Sequence, residues 1–152
     1  MLIPGQRYHL ERPSFLDLEM TNPIDLLIFS NPFEFTEKTS DLFIESFKFT
    51  AKKHYNGNKF FRYLWDKENF NIDEISTEED LINAPYIMIN LFKHKDLKST
   101  NDIVLTLGSS GTGGQRSLMH LYQNSLERVK NLAFNIHKSL GMTNDNKYNY
   151  LC

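Results

Sequence analysis

The chain has 152 residues, 40% of them hydrophobic, with 17 Lys and Arg against 19 Asp and Glu for a formal net charge of -2. That balance excludes a disordered chain and argues against a general nucleic-acid binder, because phosphate backbones select basic faces; a nucleotide, which needs only a local site, stays open. The single cysteine, Cys152, excludes an internal disulfide and a Cys-x-x-Cys metal site and fits a reducing cytoplasm.

Residues 1–23 read as an irregular lead-in broken by Pro4, Gly5, Pro13 and Pro23. Met1–Arg7 has no apolar stretch of the kind a secretion signal needs, and no run of about 18 apolar residues predicts a membrane span anywhere. Residues 24–55 read as mainly helical, with Thr36 and Ser40 as candidate caps. Leu42, Phe43, Phe47, Ala51 and His54 recur there at helical spacing. Asn56-Gly57-Asn58 is a stop and turn. Phe60, Phe61, Leu64 and Trp65 predict a second helix.

Ser76 with Glu79 three residues on fits a capping box, predicting a short helix to about Asn83 that Pro85 ends. Tyr86–Ile89 is apolar and rich in strand formers. Ile103–Leu107 is a clearer strand, β-branched and bounded by Asp102 and Gly108. Residues 117–121 form a candidate second strand. Asn124 and Glu127 resemble another capping arrangement. Leu126, Val129, Leu132, Ala133, Ile136 and Leu140 then trace one helical face, with Gly141 as its C-terminal stop. Tyr148–Cys152 reads as the start of a strand.

Between the two strands lies Gly108-Ser109-Ser110-Gly111-Thr112-Gly113-Gly114, four glycines among three hydroxyls. Such a loop lets backbone N–H groups converge on an anion, because glycine adopts φ > 0 and allows close approach. Ser109, Ser110 and Thr112 add hydroxyl donors, and Arg116 adds charge. A glycine-rich hairpin turn is the bland alternative, but hairpins rarely need so many glycines and hydroxyls together. A Walker A loop requires Lys and a hydroxyl where Gly114-Gln115 stand. The Rossmann pattern fails because Arg116 follows where a glycine is needed.

The run Ser109-Ser110-Gly111-Thr112-Gly113-Gly114-Gln115-Arg116-Ser117 resembles the S-S-G-T-T-G-x-x-K loop of adenylate-forming enzymes. Its basic-residue-and-serine ending, Arg116-Ser117, is similar to the LuxE-type acyl-protein synthetases. Gly113 departs from the pattern by replacing the second threonine, which removes a hydroxyl. Upstream, Ala84–Ile89, Leu91-Phe92-Lys93 and Leu97-Lys98-Ser99 look like the segment that leads into the loop in that family, so the resemblance spans roughly residues 25–152.

The resemblance implies an α/β fold: N-terminal helices, then part of an adenylate-forming enzyme's large-domain sheet with flanking helices. It implies ATP and Mg as cofactors, and a fatty acid converted to acyl-adenylate and then passed to a thiol. The acceptor is a protein cysteine in that family, coenzyme A in the alternative ligase reading, and a partner reductase then makes an aldehyde. Ser109, Ser110, Gly111, Thr112, Gly113, Gly114, Arg116 and Ser117 would bind the ATP phosphates; no catalytic residue and no protein metal site is assigned. The resemblance further implies that residues 1–152 are one incomplete N-terminal portion, inactive alone, with self-association through the 148–152 strand. A non-catalytic module that binds a partner reductase is the reading from another class.

Three tempting features have plainer explanations. Cys152 in an apolar strand start reads as an inert thiol. His9, His54, His94, His120 and His137 lack metal-binding spacing, and His120 reads as a strand-end residue that could reach a nucleotide. Lys48, Lys52, Lys53, Lys59 and Arg62 alternate with aromatics, a pattern of single-stranded nucleic-acid binders. An amphipathic helix pair with a solvated charged face explains it more simply.

Overall fold

A computed structural model describes residues 22–109 and 116–143. The elements in order are α1 (Pro23–Phe29), α2 (Glu37–Gly57), α3 (Lys59–Lys67), two 3-10 turns (Ile72–Glu74 and Glu79–Asn83), α4 (Leu91–His94), β1 (Leu105–Gly108), β2 (Leu118–Leu121) and α5 (Gln123–Ser139). Helices thus dominate beside one two-stranded antiparallel sheet, in keeping with the mixed α/β class.

The mainly helical stretch 24–55 consists of α1 and α2. Pro23 is no breaker: it opens α1, where its fixed φ suits the first turn, and Asn22 caps it by accepting from the Asp25 N–H. Thr36 starts α2 in a reciprocal capping box, its hydroxyl accepting from Thr39 N at 3.3 Å while Thr39 Oγ1 accepts from Thr36 N at 2.9 Å. Ser40 lies inside that helix, and its hydroxyl donates to Glu78 at 2.6 Å.

Asn58 makes the turn from α2 into α3. Its backbone N–H bonds to His54 O, and its side-chain oxygen accepts from both Phe60 N and Phe61 N. The corner sets Ile44 and Ala51 of α2 against Trp65 of α3, with Ile72 and Ile75 closing the core. Phe61 stacks on Trp65 at 4.9 Å between centroids and Phe70 meets it edge-on at 5.0 Å, the two geometries that the ring quadrupole favours.

The end of α3 explains how Phe70 arrives there. Asn69 has φ 52°, its N–H bonds to Asp66 O, and Phe70 N–H bonds to Trp65 O. This is a Schellman cap with asparagine in the left-handed position and an apolar contact across it. Gly141, at φ 69°, ends α5 the same way: Gly141 N–H reaches Lys138 O and Met142 N–H reaches His137 O.

Several expectations are corrected. Ser76 caps nothing: Asp80 accepts instead from the N–H groups of Ser76 and Thr77 at 2.7 and 2.8 Å. The carboxylate is the better acceptor, and the turn that follows begins only at Glu79 and is 3-10. Tyr86–Ile89 is not a strand; no described segment pairs with it, and Tyr86, Met88 and Ile89 are exposed. Asn124 does not cap α5, which begins at Gln123 after Tyr122 without a side-chain cap. The helix instead gains a Gln123 Nε2 to Glu127 Oε1 bond at 2.7 Å.

The helix α5 docks on α1 through polar ties. Arg128 clasps Asp25 with Nε to Oδ1 at 2.7 Å and Nη2 to Oδ2 at 3.1 Å. Asn135 donates to the carbonyls of Ile28 and Ser30. The predicted apolar face of α5 is in large part open: Val129, Leu132 and Leu140 are exposed.

Candidate functional site

The strands that carry the glycine loop pair Leu105 with Leu121, Thr106 with His120, Leu107 with Met119 and Gly108 with Leu118. The loop therefore joins strand to strand and launches no helix at its end, as the sequence predicts and unlike a Walker-type site. β1 begins two residues later than the predicted strand, although Val104 N–H still bonds Leu121 O at 2.9 Å.

Beyond Gly108 the stem continues for one more pair. Ser109 N–H donates to Ser117 O at 3.0 Å, and Ser117 N–H donates back to the Ser109 hydroxyl at 3.0 Å. The Ser109 oxygen thus closes the loop while its own proton stays available as a donor. Arg116 runs along the stem: a Cβ at Gly108 would stand 3.6 Å from Arg116 Cδ, an ordinary contact. Gly108 is therefore not required sterically, and the glycine count that marked the loop overstates its demands by one. The stem brings together Ser109, Arg116 and Ser117; Ser110, Gly111, Thr112, Gly113 and Gly114 lie outside the described residues.

Antiparallel partners share a face, so Leu105, Leu107, Met119 and Leu121 make one apolar side of the ribbon. Leu105, Leu107 and Met119 are exposed. On the opposite side Thr106 Oγ1 bonds His120 Nδ1 at 3.0 Å, and His120 Nε2 lies 2.7 Å from Asp96 Oδ1. This grouping, which the sequence did not reveal because the three residues share no local spacing, ties the ribbon to the segment after α4. Lys98, bonded to Asp96 at 3.0 Å, holds that carboxyl below its ordinary value against a smaller effect of desolvation, with His120 adding to the shift. His120 is thus engaged with the fold.

Three of the basic residues of α2 and α3 are engaged with the fold. Lys48 donates to Ile75 O at 3.0 Å, Lys52 pairs with Asp73, and Arg62 donates to the carbonyls of Tyr55 and Asn56. Cys152 and the 148–152 segment lie outside the described residues.

For a divalent ion the donor set near the stem is poor. Among the described residues no three His, Cys, Asp or Glu side chains stand together as a cage, and the stem offers hydroxyls and a guanidinium. Among the described residues no helix is long and apolar enough to cross a membrane.

The family model described as acyl-protein synthetase, LuxE, matches residues 16–149. No curated protein and no solved structure matches the chain.

Proposed function

The chain belongs to the LuxE acyl-protein synthetase family, and from that premise we propose that its glycine-serine loop grips the phosphates of ATP during the activation of a fatty acid. The fatty carboxylate attacks the α-phosphorus, the bond to the β-phosphate breaks, and pyrophosphate leaves an acyl-adenylate. A thiol sulfur then attacks the acyl carbon, AMP departs, and the thiol proton goes to solvent. The acceptor is a protein cysteine, with coenzyme A as the alternative, and the acyl group passes on to a reductase in the reducing cytoplasm. The strands and α5 would belong to the large domain of an adenylate-forming enzyme.

The observation that supports this reading is the stem itself. Reciprocal bonds between Ser109 and Ser117 hold the loop's two ends together. Arg116 supplies a cation that stays charged at any working pH. Magnesium, when bound with ATP, neutralises triphosphate charge; positioning falls to the loop's N–H groups and hydroxyls.

A second reading has its own support. The exposed apolar side of the ribbon, Leu105, Leu107 and Met119, wants a cover, since an isolated two-stranded ribbon is marginal in water. A module whose ribbon is covered by a partner reductase would look the same. We further propose that residues 1–152 alone do not complete adenylation, because orienting both reactants needs more than phosphate donors. The experiment is a thermal shift with ATP, followed by pyrophosphate release from ATP with myristate. A nucleotide-dependent shift supports the ligase reading and its absence supports the module. Myristate-dependent release by residues 1–152 alone would contradict their inactivity.

A further inference from the structure

The ribbon that carries the glycine loop needs an anchor, because two strands by themselves are marginal in water. Its apolar side, with Leu105, Leu107 and Met119 exposed, gives it little packing among the described residues. The other side carries His120. A carboxylate oxygen only accepts, and Asp96 Oδ1 stands 2.7 Å from His120 Nε2, so a neutral ring holds its proton on Nε2. Nδ1 is then the acceptor, and the Thr106 hydroxyl, 3.0 Å away, donates to it. Nε2 is shut off from water and makes no well-aligned hydrogen bond; closeness and charge tie it to Asp96. Loss of Asp96 would leave a buried N–H with nothing to meet.

The segment that bears Asp96 is itself pinned. Lys98 Nζ bonds Asp96 Oδ2 at 3.0 Å. Asn58, which turns α2 into α3, donates from Nδ2 to Lys98 O at 3.1 Å. His54 Nδ1 meets the Ser99 hydroxyl at 2.7 Å, and Ser99 O lies against Gly57. Residues 96–99 are therefore a short strap, one end on the α2–α3 corner and the other on β2. Among the described residues no other ion pair or side-chain hydrogen bond joins the ribbon's strands to the helices.

We infer that Asp96 and His120 are positioning residues for the glycine loop: the strap sets how the ribbon stands on the helices, and so where the loop presents its donors to phosphate. Neither side chain is assigned a phosphate contact. The effect on phosphate rests on the loop's holding ATP; the anchoring of the ribbon does not. The sign of the effect separates position from charge. Acting through its field alone, the Asp96 carboxylate would repel an anion, and its removal would strengthen anion binding. A positioning role predicts weaker binding.

Calorimetry with inorganic pyrophosphate on the 152-residue chain, joined to amide exchange by NMR, tests this. Asp96→Ala, at a side chain 51% exposed, should weaken pyrophosphate about fivefold, the worth of one ordinary hydrogen bond. His120→Leu should do the same. The double variant should be no weaker than either alone, because both changes remove one tie. Asp96→Asn keeps an acceptor oxygen and should recover most of the affinity. Exchange at Val104 and Ser117, whose N–H groups bond across the ribbon, should quicken in Asp96→Ala while exchange in α2 and Trp65 fluorescence stay native. Equal or tighter pyrophosphate binding in Asp96→Ala, or losses that multiply in the double variant, would overturn the proposal. A parent chain that binds no pyrophosphate would sink the phosphate reading instead. The strap would then be judged by exchange, and unchanged rates at Val104 and Ser117 in Asp96→Ala would overturn it.

Discussion

The hydroxyl of Ser109 accepts the backbone N–H of Ser117 at 3.0 Å, eight residues along the chain. Together with the Ser109 N–H bond to Ser117 O at 3.0 Å, that oxygen sets the width of the glycine loop's mouth. Ser109→Ala removes that acceptor and leaves the Ser117 N–H to water. Because the site is exposed, the cost in stability should be about 1 kcal/mol or less. Amide exchange at Ser117 should quicken while exchange in α2 is unchanged, and Ser109→Thr should restore the protection. Hydrogen exchange followed by NMR reads both.

The clasp between Asp25 and Arg128 is the firmest tie between α1 and α5. Their side chains are 10% and 16% exposed, so Asp25→Ala leaves a largely buried guanidinium unpaired and should cost about 3 kcal/mol in a urea titration. Arg128, bonded to Asp25, holds the Asp25 carboxyl below its ordinary 3.8 against the opposing effect of burial. A depressed folded-state pKa means the clasp contributes fully above 3.8. Its contribution fades as pH falls below that value through the folded pKa, because the unfolded chain binds the proton first. The acid-unfolding midpoint should move to higher pH in Asp25→Ala.

Gly57 marks where backbone must meet backbone. A Cβ there would stand 2.2 Å from Ser99 O and 2.9 Å from Ser99 Cβ, closer than atoms can approach. Gly57→Ala must push the 97–100 segment off the α2–α3 corner and break the 2.7 Å bond between His54 Nδ1 and the Ser99 hydroxyl. The expected loss is about 1–3 kcal/mol, read by thermal denaturation, with faster exchange at residues 97–100.

Burial and then the neighbouring Lys53 charge hold His54 below its ordinary 6.5. The unfolded chain therefore takes up the proton before the folded one does, and stability falls as pH drops below 6.5. His54→Gln should remove that slope between about pH 7 and pH 5.5 in equilibrium unfolding.

Local chemistry was the legible part of this sequence. Thr36, Asn58 and Gly141 act within a few residues of themselves, so their roles as caps and turns could be read directly, and the strand–loop–strand order around Ser109 and Ser117 followed from glycine content and β-branching. Pro23 was misread because a proline that breaks a helix and one that starts it look alike until the cap before it is seen. Tyr86–Ile89 has strand composition, but a strand exists only with a partner, and none of the described segments supplies one. The Thr106–His120–Asp96 grouping and the approach of Gly57 to Ser99 join residues far apart in the chain, and no local period announces such meetings.

The central claim is that the loop between Ser109 and Ser117 holds the phosphates of ATP. Calorimetry of ATP and of pyrophosphate on the parent chain and on Gly111→Val tests it most directly. A side chain at Gly111 blocks backbone approach and penalises φ > 0, while the stem bonds outside it stay in place. The account predicts measurable binding to the parent chain, in the millimolar range or tighter, and its loss in Gly111→Val with the fold intact by Trp65 fluorescence. Equal affinity in the two chains would contradict it.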